Sequence, residues 1–587
     1  MKTRLSFTLC IVFCLITHWS LLGQENCGPA DNFQTLTGNA VEATLSASGS
    51  SFWDGDQAGF SVGITPEERI TTILTQGLWI GGKDAGGNLK VAAARSGLRD
   101  GLTDFYPGPL NHGDPNYPGG GALADPVRGT TSPEACENWD KVWMVTKAEI
   151  EAAREDFSDN GVLDDDHPAV LSWPAKGNPF FGAYNGFELP PVEVVSDLAP
   201  FWDADGDSTY NPAAGDYPIV RTNMEQPDVM AWVVYNDSGG DHGESNSPTK
   251  LQFEFQQLIW LYRCSEVEWL SRTVFSRYQF INWAIERLDS VHVGLWTDFE
   301  LGCPEDDYIG SAPELNTYYA YNANATDGDG SELCSTNTLP LVGVPPVQAV
   351  TFLDVDMSSF YYYEATDEDT PLGLREPATP QEHYNYMRGR FSDGSSMIAQ
   401  GDGYEPLSPL PATDFAFSGR PQNTEEWSLY QTSGVEVERF GVGAVNLTDF
   451  LLPGGRMSID VAFSFHHDPD SNHLQQVNLM YDNVEALHAL YANDFYNYCE
   501  VTSTDELVEA EPVSMFPNPT AGQLALVAYA EDIEEIVIWA VNGQQMMRIE
   551  QVSNRNLTID VSSLAAGLYF VQVKIGDVWQ VQKMVKE

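Results

Sequence analysis

The feature that most constrains this chain is a set of apolar runs with a two-residue period. Leu251-Gln252-Phe253-Glu254-Phe255 alternates, and so does the run from Arg456 to Phe465. Strand-like runs from Thr273 to Ile285 and from Val291 to Phe299 flank a turn at Glu286 to Asp289. Successive side chains on a strand point to opposite faces, so such runs predict antiparallel sheets stacked as sandwiches. Leu78 to Gly82 and Leu89 to Ala93, around a Gly- and Asn-containing turn, predict a hairpin. Fifty glycines and 35 prolines suit many short strands joined by turns. The expected fold class is therefore mainly β, built of antiparallel β-sandwich domains with few helices. One helix is predicted after Thr146, where Thr146 and Glu149 make a capping box with Val145 and Ile150 as its staple. A second has Leu474, Val477, Tyr481, Val484, Leu487 and Tyr491 on one face. A chain of 587 residues exceeds one ordinary core. The expected division is an N-terminal β-rich region at 24–200, a central sandwich region with acidic loops at 201–500, a polar linker at 501–512 and a small β-domain at 513–587.

Met1-Lys2-Thr3-Arg4, the apolar run from Leu5 to Ile16 and Gly23 before Gln24 form a signal-peptide pattern over residues 1–23. The run is shorter than the roughly 20 residues that span a bilayer, and no later segment is apolar enough to do so. Six cysteines remain beyond it: Cys27, Cys136, Cys264, Cys303, Cys334 and Cys499. An even number in an exported chain allows three disulfides with fifteen pairings, of which Cys303 with Cys334 is the local candidate. The net charge of −56 argues against nucleic acid and against an anionic membrane surface, both of which would repel it. It suits a solvated acidic surface, and also carboxylate clusters that hold Ca²⁺, a hard cation that wants oxygen ligands.

Asp203, Asp205 and Asp207 occupy every second position of a tight loop, with Thr209, Asn211 and Asp216 following as further oxygen donors. The spacing is like the first half of an EF-hand loop, but Ser208 replaces the turn glycine and Ala214 the closing glutamate. It predicts a calcium loop on a β scaffold. Asp298, Glu300, Glu305, Asp306 and Asp307 form a second cluster, with another Ca²⁺ site and an ordinary acidic loop as the two readings. The Asp327-Gly328-Asp329-Gly330 run is explained by a turn. His466, His467 and His473 are expected on a loop rim, and Trp53, Trp79, Tyr361, Tyr362 and Tyr363 are expected in the core rather than stacking on sugars. No G-x-S-x-G, H-E-x-x-H or Walker pattern occurs.

From Met515 onward the chain carries Phe516-Pro517-Asn518-Pro519, then Val541-Asn542-Gly543-Gln544, then Leu564 to Val571, then Gln582-Lys583-Met584-Val585-Lys586. In these motifs residues 513–587 resemble the type A sorting domain of type IX secretion cargo from Bacteroidota. The resemblance implies an immunoglobulin-like β-sandwich, passage through the periplasm, export by the type IX translocon, and release or attachment to surface glycolipid. Pro517, Asn518, Pro519, Gly543, Gly567, Tyr569, Lys583 and Lys586 are then recognition features. The middle region also resembles large exported Bacteroidota proteins with the same tag, through Phe52-Trp53-Asp54, Leu78 to Gly82, Asp104 to Leu110 and Tyr384 to Gly389. The functional expectation is a secreted or cell-surface, calcium-stabilised, non-enzymatic binding or adhesion protein with a carbohydrate or protein ligand. The alternative is a secreted hydrolase acting on polysaccharide, which requires a deep cleft with two opposed carboxylates.

Overall fold

The computed structural model describes residues 26–499 and 514–586, apart from 54–57, 65–68, 96–102, 192–196, 329–333, 335–339, 366–367, 433–436, 517–518, 529–532, 541–544 and 576–577. The signal segment, the linker, Pro517, Asn518 and Gly543 lie outside the described residues. The chain divides into two compact units, Met1–Glu500 and Val501–Glu587.

The first unit is built on two large antiparallel sheets. One runs in the order Gln34–Thr37, Val41–Leu45, Phe60–Gly63, Arg69–Lys83, Leu288–Phe299, Arg439–Leu451 and Ser359–Glu364; Ser50–Ser51 and Leu89–Ala93 also pair with Arg69–Lys83. The other runs Asp307–Ala312, Thr317–Asn322, Val347–Phe352, Arg456–His466, Thr273–Asn282, Phe253–Leu261, Val229–Asn236 and Tyr106–Pro107, with Trp143–Thr146 also on Val229–Asn236. The sheets face each other across one core. Tyr278 donates from its hydroxyl to Gln76 at 2.8 Å, Thr72 donates to Gln348 at 2.7 Å, and the rings of Phe52 and Phe463 meet edge-on at 4.9 Å. Strands from 34–93, 106–107 and 143–146 are woven into these sheets, so the regions before and after residue 200 share a core. The runs on either side of the Glu286 turn belong to opposite sheets, so this turn crosses the sandwich.

Both sheets are covered on their outer faces too, and central strands such as Val229–Asn236 and Phe253–Leu261 are buried at every position. Along Val229–Asn236, Val229, Ala231, Val233 and Tyr235 enter the core between the sheets, while Met230, Trp232 and Val234 enter a second core outside. That outer core is roofed by the helical segment from Pro133 to Asn185. Its longest helix, Lys147–Asn160, has the Thr146–Glu149 capping box, buries Ile150 and Ala153, and ends at Gly161 with φ 81°. The helix Pro380–Met387 lies on the outer face of the first sheet, and Gln475–Ala492 packs on the second. Three disulfides, Cys27–Cys136, Cys264–Cys499 and Cys303–Cys334, pair all six cysteines of the described unit.

The second unit contains a three-stranded sheet of Ser514–Phe516, Gln523–Val527 and Asn556–Asp560. A four-stranded sheet follows the order Gln545–Asn554, Ile533–Ala540, Gly567–Ile575 and Val578–Lys586. Leu524, Leu526, Ile536, Ile538, Ile559, Val571, Val573 and Met584 fill the core they share. The whole chain is mainly β with large antiparallel sheets.

Candidate metal and ligand sites

Phe201–Trp202 pairs antiparallel with Tyr217–Pro218, and this short ladder carries the Asp203 loop. Asp203 Oδ1 accepts from the amides of Gly206 at 2.8 Å and Asp207 at 3.2 Å, and Oδ2 from that of Ser208 at 2.9 Å. Gly206 and Ser208 both take left-handed backbone, at φ 78° and 64°. Carboxylate oxygens of Asp203, Asp205 and Asp207 all lie within 4.8 Å of one another, twice the roughly 2.4 Å of a Ca–O bond. The other three donors shape the loop itself. Thr209 donates from its hydroxyl to Asp207 at 2.6 Å, and Asn211 caps the turn Pro212–Ala214 through Ala213 N. Asp216 closes the base by accepting from Ala204 N at 2.8 Å and Asn211 N at 2.7 Å. Burial raises the Asp216 carboxyl above its ordinary pKa; those two amides pull against it, and Asp203 and Asp205 push with it. Tyr210, fully buried, anchors the loop by donating to Val170 O at 2.9 Å.

The same ladder places Trp202 beside Tyr217, their rings 6.2 Å apart and nearly parallel. Trp202 is 40% exposed, unusual for so large an apolar ring. Arg154 stacks on Tyr217 at 4.4 Å. With Glu151, Glu155, Phe157, Ser158 and Gly215 these residues line an open cleft of about 590 Å³. Glu151 and Glu155 sit one turn apart on the helix Lys147–Asn160, on one wall of that cleft. Trp202 carries no motif in the sequence; its neighbourhood with Tyr217 arises only because the acidic loop folds back on itself.

Asp298, Glu300, Asp306 and Asp307 of the second acidic cluster are buried. Asp298 lies within the first sheet and its charge is felt by Tyr363, while Glu300, Asp306 and Asp307 follow as the chain crosses to the second sheet. Asp327, from the turn after Thr317–Asn322, joins Asp306 and Asp307 and is the member that sequence reading assigned to a plain turn. Burial lifts Asp306 to about 6, with Asp327 adding to it, and lifts Asp307 well above the carboxylate range. The disulfide Cys303–Cys334 closes this region, with Cα atoms 5.2 Å apart.

His466, the last residue of its strand, lies deeper than a loop rim, while His467 and His473 are half-buried in the loop that follows. His466 is buried between Ser464 at 2.9 Å and Asn483 at 3.1 Å, and burial holds its pKa down to about 3. His467 faces Val344 O instead, at 3.1 Å. Trp79 and Tyr361 to Tyr363 are core residues.

In the second unit Pro519 is exposed, and Thr520 N donates to Val585 O at 2.9 Å. Gly567 opens its strand opposite Lys586 at φ 158°, a backbone conformation that residues with a side chain rarely adopt. Tyr569 is buried and donates to Ala565 O at 3.0 Å. Lys583 is exposed, whereas Lys586 is only 7% exposed.

Among the described residues no helix is long and apolar enough to cross a membrane. No curated protein matches the chain. Among solved structures 28 chains match. One is a polysaccharide lyase, 11% identical over 66% of this chain and 39% of its own length; its TM-score of 0.18 carries no argument. Residues 514–587 match the family model of the secretion system C-terminal sorting domain. The protein is thus type IX secretion cargo, handled by that system through its C-terminal domain and exported to the cell surface or the extracellular space.

Proposed function

We propose that this cargo is a calcium-stabilised, non-enzymatic binding protein that takes a glycan in the cleft at Trp202. The observation that carries the reading is the exposed Trp202 ring, stacked on Tyr217 at the foot of the Asp203 loop. An aromatic face suits the apolar face of a pyranose, and Glu151, Glu155 and Ser158 offer partners for its hydroxyls. The two glutamates share one wall, whereas glycoside hydrolysis needs carboxylates flanking the scissile bond. Without metal the three aspartates of the loop repel one another, and Ca²⁺ turns that repulsion into attraction. Because the loop joins Trp202 to Tyr217, ordering it holds the two rings in register.

A ligand that binds only the folded state stabilises it by about 2.7 kcal/mol at a hundredfold excess over Kd. Thermal melts of the mature chain should therefore shift down in chelator, and Asp205→Ala should do the same and weaken the response to calcium. Mg²⁺ should substitute poorly, since it demands octahedral geometry and keeps its waters. Identical melts with calcium and with chelator would leave a solvated turn. On a glycan array in calcium, Trp202→Ala should weaken binding at least about tenfold, or 1.4 kcal/mol. An empty array, or one unchanged by the substitution, removes the cleft as the site. Polysaccharide cleavage abolished by a point mutation would overturn the non-enzymatic reading.

A further inference from the structure

Strands Val229–Asn236 and Phe253–Leu261 are neighbours in the second sheet, and a long loop joins them. That loop meets the segment at Asn26 and Cys27 and the turn from Gly129 to Pro133, and the three enclose a cleft of about 480 Å³. Each wall is fixed to the next. The disulfide Cys27–Cys136 ties the first segment to the helix that follows the turn, with Cα atoms 5.8 Å apart. Cys27 N donates to Gly239 O at 2.9 Å, which joins the same segment to the loop. Gln252 Nε2 donates to Gly129 O at 3.4 Å, which joins the loop to the turn. Gln252 holds left-handed backbone at φ 60°, a conformation that costs a residue with a side chain and persists where its surroundings enforce it.

The chemistry of this lining departs from that of the chain. The sequence has 85 acidic residues against 29 basic ones, yet among the described residues the lining holds no carboxylate and one lysine, Lys250. Around it stand neutral hydrogen-bonding side chains, those of Asn26, Thr131, Ser132, Ser238 and Thr249. Lys250 is half-buried, and its Nζ donates to Ser238 O at 2.9 Å. An ammonium carries three donors, so two remain. The carboxylates at the two ends of the loop are bound elsewhere. Asp237 accepts from the amides of Leu251 and Phe253 at 2.5 and 2.7 Å, and Glu254 accepts from Leu110 N at 2.9 Å and Gln256 Nε2 at 2.8 Å. Ser238 Oγ is shut off from solvent and has no hydrogen-bond partner among the described residues. A polar group in that state is stabilised by a partner that reaches it.

We propose that this cleft binds a small hydroxylated organic anion of the sugar-acid class, with Lys250 taking the carboxylate and the amide and hydroxyl side chains around it taking the ring hydroxyls. A hydrogen bond between ammonium and carboxylate is charge-assisted, and it strengthens in a concave site where water is scarce. Lysine presents a compact point charge, which suits a single carboxylate oxygen. The volume falls within the roughly 300–1,000 Å³ of small-molecule sites. Among the described residues the lining has no aromatic ring, so a neutral sugar finds no stacking face and the charge decides. The site shares no residue with the cleft at Trp202 and does not depend on calcium.

The test is calorimetric titration of the full mature chain with galacturonate, with galactose as its neutral counterpart and inorganic sulfate as a bare anion. Galacturonate should bind one site per chain, and galactose at least about tenfold more weakly. Lys250→Gln should weaken galacturonate at least about tenfold and erase the difference between the two sugars, while Lys250→Arg keeps the charge and should retain it. Thr249→Trp fills the cleft from an exposed position and should abolish binding with Lys250 intact; it is the variant to read if Lys250→Gln does not fold. No galacturonate binding by wild type, equal binding of galactose, or binding unchanged by either substitution overturns the proposal. Sulfate that binds as tightly as galacturonate would make the site a plain anion hole and overturn the sugar-acid assignment.

Discussion

Asp460 has no exposed surface, yet it lies in the middle of the strand Arg456–His466. Arg277 on the neighbouring strand grips it with two bonds, Nε to Oδ1 at 2.7 Å and Nη2 to Oδ2 at 2.6 Å, and Tyr491 donates to it from the last helix. Burial works to lower the pKa of Arg277, and Asp460 more than offsets this, so the guanidinium stays charged. Removing one partner of such a pair strands the other. Arg277→Met should cost about 3 kcal/mol in urea unfolding, the low end of the range because Tyr491 and Arg221 remain nearby. A loss under about 1 kcal/mol would mean that water reaches Asp460. Single residues were legible in the sequence where their partners are close along the chain. Thr146 and Glu149 cap their helix because both sit within one turn. Asp327 was not legible beside Asp306, because only the ladder of Asp307–Ala312 with Thr317–Asn322 brings the two turns together. Trp202 was missed for the same reason: its partner Tyr217 lies across a whole loop.

Elements were legible where one face differs from the other. Val229–Asn236 escaped, because every position is buried and the two-residue period survives only as a choice between two cores. In Phe253–Leu261 the alternation seen in sequence is real, but its polar members Glu254 and Gln256 are buried as well. The helix Pro380–Met387 gives a physical reason for two motifs that are far apart in sequence. A Cβ on Gly81 would lie 2.9 Å from Tyr384 Cδ2 and 3.1 Å from Met387 Cε. Tyr384 cannot swing aside freely, since its hydroxyl donates to Ser290 O at 2.7 Å. The Leu-Trp-Ile-Gly-Gly strand and the Tyr-Asn-Tyr-Met helix are thus cut to each other. Gly81→Ala should destabilise by about 1–3 kcal/mol, as overpacking does. Unchanged denaturation would show that the helix can ride outward.

At the level of the whole molecule, a body of stacked sheets and a small sorting domain are joined in one exported chain. The mainly β class and the tag were legible from period-two runs and from ordered motifs. The pairing of Arg69–Lys83 with Leu288–Phe299, which joins residues 34–93 to the rest of the first sheet, was not, since strand neighbours distant in sequence leave no local mark. Deleting residues 513–587 should strand the protein in the periplasm, read by fractionation and immunoblot. Normal levels in the medium or on the surface would remove the tag assignment. The disulfide Cys264–Cys499 then acquires a mechanical meaning. Cys499 is the last described residue of the body, and its bond leads to Cys264, three residues past the end of Phe253–Leu261. That strand is laddered to Val229–Asn236 on one side and Thr273–Asn282 on the other. A pull arriving from residue 501 onward passes through sulfur into the middle of a sheet before it reaches the helix Gln475–Ala492. Oxidised, the body is moored against its own tag; reduced, the same tension would peel the terminal helix first.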